Sequence, residues 1–130
     1  MKEWDRYASE AETYVKTYLL PRLTTEAKTK DSTAFWLDYA KLCTIGWSFI
    51  AGVKNETRLQ AMTDYVKQSN QLTETANATG VCACLLYQMG RKQQAVQLQE
   101  KSLLLAGQTD ASETDVHKDR LKRMQKGKAL

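Results

Sequence analysis

The side chains in this sequence that can do chemistry are few and dispersed. Cysteines stand at 43, 82 and 84, the single histidine is His117, and the carboxylates that fall among apolar runs are Asp38, Asp64 and Glu74. No pair of cysteines has the Cys-x-x-Cys spacing of a redox motif, and Cys82 and Cys84 lie about 200° apart around a helix, where they cannot bridge. His117 combines with none of them at a zinc-ligand spacing. A thiol oxidoreductase places its low-pKa cysteine at a helix start, whereas Cys82 and Cys84 fall in the middle of one. His117 falls in a charged stretch that reads as an exposed helix, with no serine or cysteine nucleophile beside it. The expectation is therefore no catalytic residue, no metal, no cofactor, and three cysteines used as small apolar packing.

The elements that position these groups read as helices. Helix one spans about residues 2–20, with Trp4, Tyr7, Ala11, Tyr14, Val15, Tyr18 and Leu19 on one stripe. Its tyrosines are expected in the core with hydroxyls at the rim, Pro21 marks a break or kink, and residues 22–30 read as a frayed continuation. Asp31 or Ser32 is a suitable N-cap for a helix over about residues 33–51. Phe35, Trp36, Leu37, Tyr39, Leu42, Cys43, Ile45, Trp47, Phe49 and Ile50 cover most of its circumference, so it is expected to be central and buried, closed by Gly52 as a C′ glycine. Further helices follow over about residues 56–72, 74–89 (stopped by Gly90) and 92–106 (ended by Gly107). A last one over 111–126 is capped by Asp110 or Ser112. No strand alternation, internal linker or low-complexity run interrupts them, so residues 1–130 read as one all-α domain.

The net charge of +4 is local. Residues 116–130 carry six lysines and arginines against Asp119 alone, which leaves residues 1–115 at −1. Cations at a helix end complement its dipole. A nucleic-acid footprint calls for a patch with aromatic or base-reading groups, which this tail lacks. No apolar run reaches the roughly 20 residues of a membrane helix. Neither nucleic acid nor membrane insertion is expected.

A ladder of small and large residues occurs twice. Ile45-Gly46 with Phe49, then Met62 and Ser69, is matched by Cys82-Ala83 with Leu86, then Ala95 and Ser102. The pattern is similar to the tetratricopeptide repeat, in which small positions let two antiparallel helices approach and large ones fill the groove. The second helices of the two units are 33 residues apart and the first helices 37 apart. The first hairpin (residues 33–72) should thus carry a longer turn or an extra helical turn relative to the second (74–106). Thr79 and Leu42 replace an aromatic, Met62 a small residue, and Gln99 an aromatic. The fold expected is a right-handed tetratricopeptide-like stack of about two repeats. Two repeats are too few to stand alone, so helix one and the last helix should act as caps.

A narrower resemblance runs through Ile45-Gly46-Trp47-Ser48-Phe49, Tyr65-Val66-Lys67-Gln68-Ser69, Leu86-Tyr87-Gln88-Met89-Gly90-Arg91-Lys92 and Leu121-Lys122-Arg123-Met124, with Trp4, Tyr7, Val15 and Tyr18 leading in. These segments resemble the C-terminal helical region of thioredoxin-like, thiol:disulfide interchange proteins of Bacteroides-type bacteria. The resemblance implies an upstream thioredoxin-fold domain with a Cys-x-x-Cys site, which this sequence lacks. It also implies that Met1 stands inside a longer reading frame, that Gly-Lys-Ala-Leu is a natural C-terminus, and that the setting is the cell envelope or periplasm. The expected function is a non-catalytic interaction or scaffold domain whose partner is a protein or peptide, including its own upstream domain. The alternative is a freestanding tetratricopeptide-like adaptor. The outward positions Lys41, Ser48, Asn77 and Gln88 are the expected binding face.

Overall fold

The computed structural model describes residues 2–29, 32–109 and 114–130, and among them all regular structure is helical, with no strand. The elements are α1 (Lys2–Tyr14), a π-helical turn (Val15–Leu19), α2 (Leu20–Thr29), α3 (Ser32–Gly52), α4 (Glu56–Leu72), α5 (Ala76–Gln88), α6 (Lys92–Thr109) and α7 (Thr114–Gln125). The suggested caps Asp31, Asp110 and Ser112 lie outside the described residues.

The N-terminal helix does not break at Pro21. It widens instead into the π turn just before the proline, where the Leu20 N–H reaches back to the Val15 carbonyl. The wide turn opens the backbone where a pyrrolidine ring would crowd the preceding carbonyls. The helix then continues in order to Thr29, with Leu23 and Glu26 buried, so residues 20–29 are not frayed. The buried stripe is Ala8, Ala11, Val15, Leu19 and Leu23. The aromatic residues sit at its margin: Tyr7 and Tyr14 are half-buried, and Trp4 and Tyr18 are exposed. Tyr18 is a correction to its expected core position; its ring stacks on Tyr14 and lies beneath the Arg22 guanidinium.

The central helix is α5, not α3. Every residue from Ala78 to Leu86 is buried, and α5 packs against α3, α4 and α6. One face, with Ala78, Val81, Cys82 and Leu85, joins the main core built with α1–α4. The other, with Ala83, Cys84 and Leu86, meets Ala95 of α6 and Met124 of α7. By contrast α3 exposes Trp36 (47 %) and Leu37 (61 %) in its first turns. Its N-terminal half is covered on one side only: Phe35, Asp38 and Tyr39 are buried there, Asp38 against Arg22 of α2, while Trp36 and Leu37 fall on the side that no described element covers.

Of the ladder residues, Gly46, Phe49, Met62, Ser69, Cys82, Ala83, Leu86, Ala95 and Ser102 are buried, and Ile45 is half-buried. Gly46 lets α3 approach α5 and α4 closely. A Cβ there would sit 2.5 Å from Val81 Cγ1 and 3.6 Å from Val66 Cγ2. Two links of equal length, residues 53–55 and 89–91, follow α3 and α5. The four-residue difference between the units is thus absorbed in longer helices, not in a longer turn.

Helix ends follow local chemistry. The Asn55 side chain accepts from the Arg58 N–H to start α4, and Thr75 accepts from the Ala78 N–H to start α5. Gly90, at φ +80°, ends α5 with paired bonds from Gly90 N to Tyr87 O and from Arg91 N to Leu86 O. Gly127, at φ +71°, does the same after α7. Gly52 is not a C′ glycine. It is the last residue of α3, and a Cβ on it would meet the Trp4 ring at 2.2 Å, so its role is to seat that indole. Gly107 lies inside α6, which runs on to Thr109.

Candidate functional site

A cleft of about 530 Å³ opens between α3, α5 and α7. Trp47 and Ile50 come from α3, Cys84 and Gln88 from α5, and Val116 from α7. All of these but Gln88 are apolar, and Asp119, Arg120 and Arg123 add charge to the lining. The Arg120 guanidinium lies over the Trp47 ring at 4.4 Å from its centroid, a cation–π arrangement that fixes both side chains. Arg123 Nε is 3.0 Å from Asp119 Oδ2. The Trp47 indole donates to Asn77 Oδ1 at 3.2 Å, and Gln88 Nε2 donates to the Ile50 carbonyl at 2.9 Å. Ala129 and Leu130 line the same cleft, brought back by the turn at Gly127 and by the Tyr87 hydroxyl, which donates to the Lys128 carbonyl at 2.6 Å.

The four positions expected on a binding face are divided by this arrangement. Gln88 lines the cleft and Asn77 braces its tryptophan. Ser48 lies in an adjoining groove with Glu3, Trp4 and Tyr7, and its hydroxyl donates to Thr44 O. Lys41 belongs elsewhere: its ammonium is 3.9 Å from Asp38, one helical turn back on α3. Trp47, Arg120 and Arg123 were not anticipated as site residues. The aromatic and the cations are 73 residues apart or more, and only the return of α7 along α6 unites them.

The remaining chemical groups are held in buried clusters. His117 is 5 % exposed, not on the surface, and its Nδ1 is 3.0 Å from the Ser102 hydroxyl. This corrects the expectation that it has no serine beside it. Ser102 donates its proton to the Ala76 carbonyl at 2.7 Å, so Nδ1–H donates to the hydroxyl oxygen. In that order the imidazole does not draw the proton from the serine, and the pair ties α7 and α6 to the start of α5. Gln99, also buried, donates to the His117 carbonyl at 3.1 Å.

Asp38 is not isolated. It is 1 % exposed and shares Arg22 Nε with Glu26, at 3.0 Å and 3.3 Å. Burial, and next the adjacent Asp38 carboxyl, push the Glu26 carboxyl above its ordinary value, against the pull of Arg22. Asp64 accepts from Gln60, and Glu74 pairs with Lys101 at 2.6 Å.

All three cysteines are buried free thiols. Burial pushes Cys43 and Cys82 up to about 12 and Cys84 up to about 11, the last partly offset by Arg120. Such thiols are protonated near neutrality and poor nucleophiles. Among the described residues no group of three or more His, Cys, Asp and Glu side chains could hold a metal ion, and no helix is long and apolar enough to cross a membrane. No protein-family model, no curated protein and no solved structure matches this chain.

Proposed function

We propose that the chain is a non-catalytic helical interaction domain that presents the Trp47 cleft to a protein or peptide. In this reading α3–α4 and α5–α6 are two tetratricopeptide-like hairpins, and the N-terminal helix and α7 cap them. One observation carries it: the first helix of each hairpin and the helix after them, α3, α5 and α7, all line a single cleft, while no residue of α4 or α6 does. That division between lining and backing helices is how a helical-hairpin stack makes a concave contact face. The close approach at Gly46 supports the same reading.

The parent we propose is a larger thioredoxin-like protein of which this is the C-terminal module, on the segments from Ile45 to Met124 named above. A freestanding adaptor is the second reading, favoured by a cleft lined entirely by this chain's own residues. A photo-crosslinking amino acid placed at Val116, exposed at the cleft, tests the site. A matched probe at Leu104, exposed on α6, is the control. The reading expects capture from Val116 and not from Leu104; equal capture from both overturns it. Capture only when the upstream reading frame is included assigns the module to a larger protein. Capture by the chain alone assigns an adaptor.

A further inference from the structure

Resting on the reading of the Trp47 cleft as a contact site, the geometry points to the chemistry of its occupant: an extended peptide segment that carries an aliphatic side chain flanked by carboxylates. Three observations converge on it. First, Trp47, Ile50 and Val116 make one side of the cleft apolar and aromatic, which suits an aliphatic group. Second, the rim is basic. Arg120 and Arg123 border the cleft against one carboxylate, Asp119, and a shallower groove beside it adds Lys122, Lys126 and Lys128. A rim with an excess of positive charge steers and orients a segment of the opposite sign.

Third, residues 129 and 130, which have no helical structure, form part of the cleft wall, and the Tyr87 hydroxyl beside the cleft anchors them by donating to the Lys128 main-chain carbonyl at 2.6 Å. That segment supplies the aliphatic side chain of Leu130. It also brings in Lys128, a cation, beside a rim that is already cationic. It is therefore a poor electrostatic match where an acidic segment is a good one. An acidic occupant displaces residues 128–130, and the Tyr87 hydroxyl becomes available to its backbone. Peptide is favoured over nucleic acid because the cleft is lined by the aliphatic side chains of Ile50, Val116 and Leu130, and a face of Trp47 is covered by Arg120 instead of being open to a base.

The test uses the full chain and three fluorescein-labelled probes of equal length: a peptide alternating Glu and Leu, its Lys and Leu counterpart, and a single-stranded oligouridylate. Anisotropy should show saturable binding of the Glu–Leu peptide below about 1 mM and none of the other two. Arg123→Glu, at an exposed position, should weaken it by about tenfold. Tyr87→Phe keeps the ring and frees the competing tail, and should tighten it about two- to fivefold. No binding of the Glu–Leu peptide, equal binding of the Lys–Leu peptide, or preference for the oligouridylate each overturns the assignment. The indole N–H resonance of Trp47 separates two kinds of failure. If it moves with the Lys–Leu peptide, the cleft is a contact site of the wrong charge preference. If it moves with none of the probes, the cleft reading falls too.

Discussion

Arg120 of α7 stacks on Trp47 of α3, 4.4 Å from the ring centroid, although the two helices are separated in sequence by α4, α5 and α6. The contact joins the helix that ends the described fold to the middle of the apolar α3. Arg120→Ala should cost about 0.5–2 kcal/mol in chemical denaturation and shift the Trp47 emission to the red. Arg120→Lys should recover only part of both, because an ammonium lacks the planar face of a guanidinium.

Glu26 gives a pH dependence with a definite sign. Its folded-state pKa is raised above the ordinary 4.5 by burial and by Asp38. Its contribution is therefore fully present below the unfolded value and is lost as pH rises through the folded one. Thermal unfolding followed from pH 4 upward should show this loss. In Glu26→Gln the carbonyl still accepts from Arg22 and the amide faces Asp38 with a donor, so the variant should be at least as stable as wild type at neutral pH and show a flatter profile.

Two glycines should respond oppositely to the same substitution. Gly52→Ala drives a methyl group into the Trp4 ring, where the nearest atom is at 2.2 Å. It should destabilise by about 1–3 kcal/mol and expose Trp4 further. Gly107 is helical, and among the described residues a Cβ there meets Thr114 Cγ2 alone, at 4.0 Å. Gly107→Ala should stabilise by about 0.5–1 kcal/mol. Denaturant midpoints of the two variants check both.

These glycines also mark what the sequence could and could not tell. The bounds of α4 were legible because its apolar stripe, with Leu59, Met62 and Val66, runs through the whole element, and these residues are buried. Gly90 was legible because its positive φ is a local matter. Gly52 was not, since nothing in its neighbourhood says that Trp4 will arrive there. The centrality of α5 was hidden because its buried run is made largely of Ala, Thr, Gly and Cys, whose burial reflects close approach more than hydrophobicity. Trp36 and Leu37 misled in the reverse sense. Glu26 and Asp38 are paired through α2 packing on α3, and the Ser102–His117 clip and the Trp47 cleft arise only when α7 folds back. Periodicity within one helix carries none of this.

Ser102 offers a test of that clip. Ser102→Ala removes the hydroxyl that serves both the Ala76 carbonyl and His117, in a site with no exposure at Ser102. The expected cost is about 1–3 kcal/mol, measured by equilibrium denaturation.

The cysteines should stay silent while the domain is folded. With burial holding all three thiols at about 11 or above, labelling by a thiol reagent at neutral pH should be slow and should accelerate on unfolding. An insulin-reduction assay should give no activity. Fast native labelling of Cys84, with reductase activity abolished by Cys84→Ser, would contradict the non-catalytic reading.

The central claim is that the Trp47 cleft is the contact face. The three tryptophans provide three indole N–H resonances, and that of Trp47 is held by Asn77 at the cleft while Trp36 lies exposed farther along α3. Titration of the isotopically labelled full chain with the Glu–Leu peptide, followed by two-dimensional NMR, should move the Trp47 indole together with the Gln88 side-chain amide and leave Trp36 in place. Movement of Trp36 with Trp47 unchanged would contradict it.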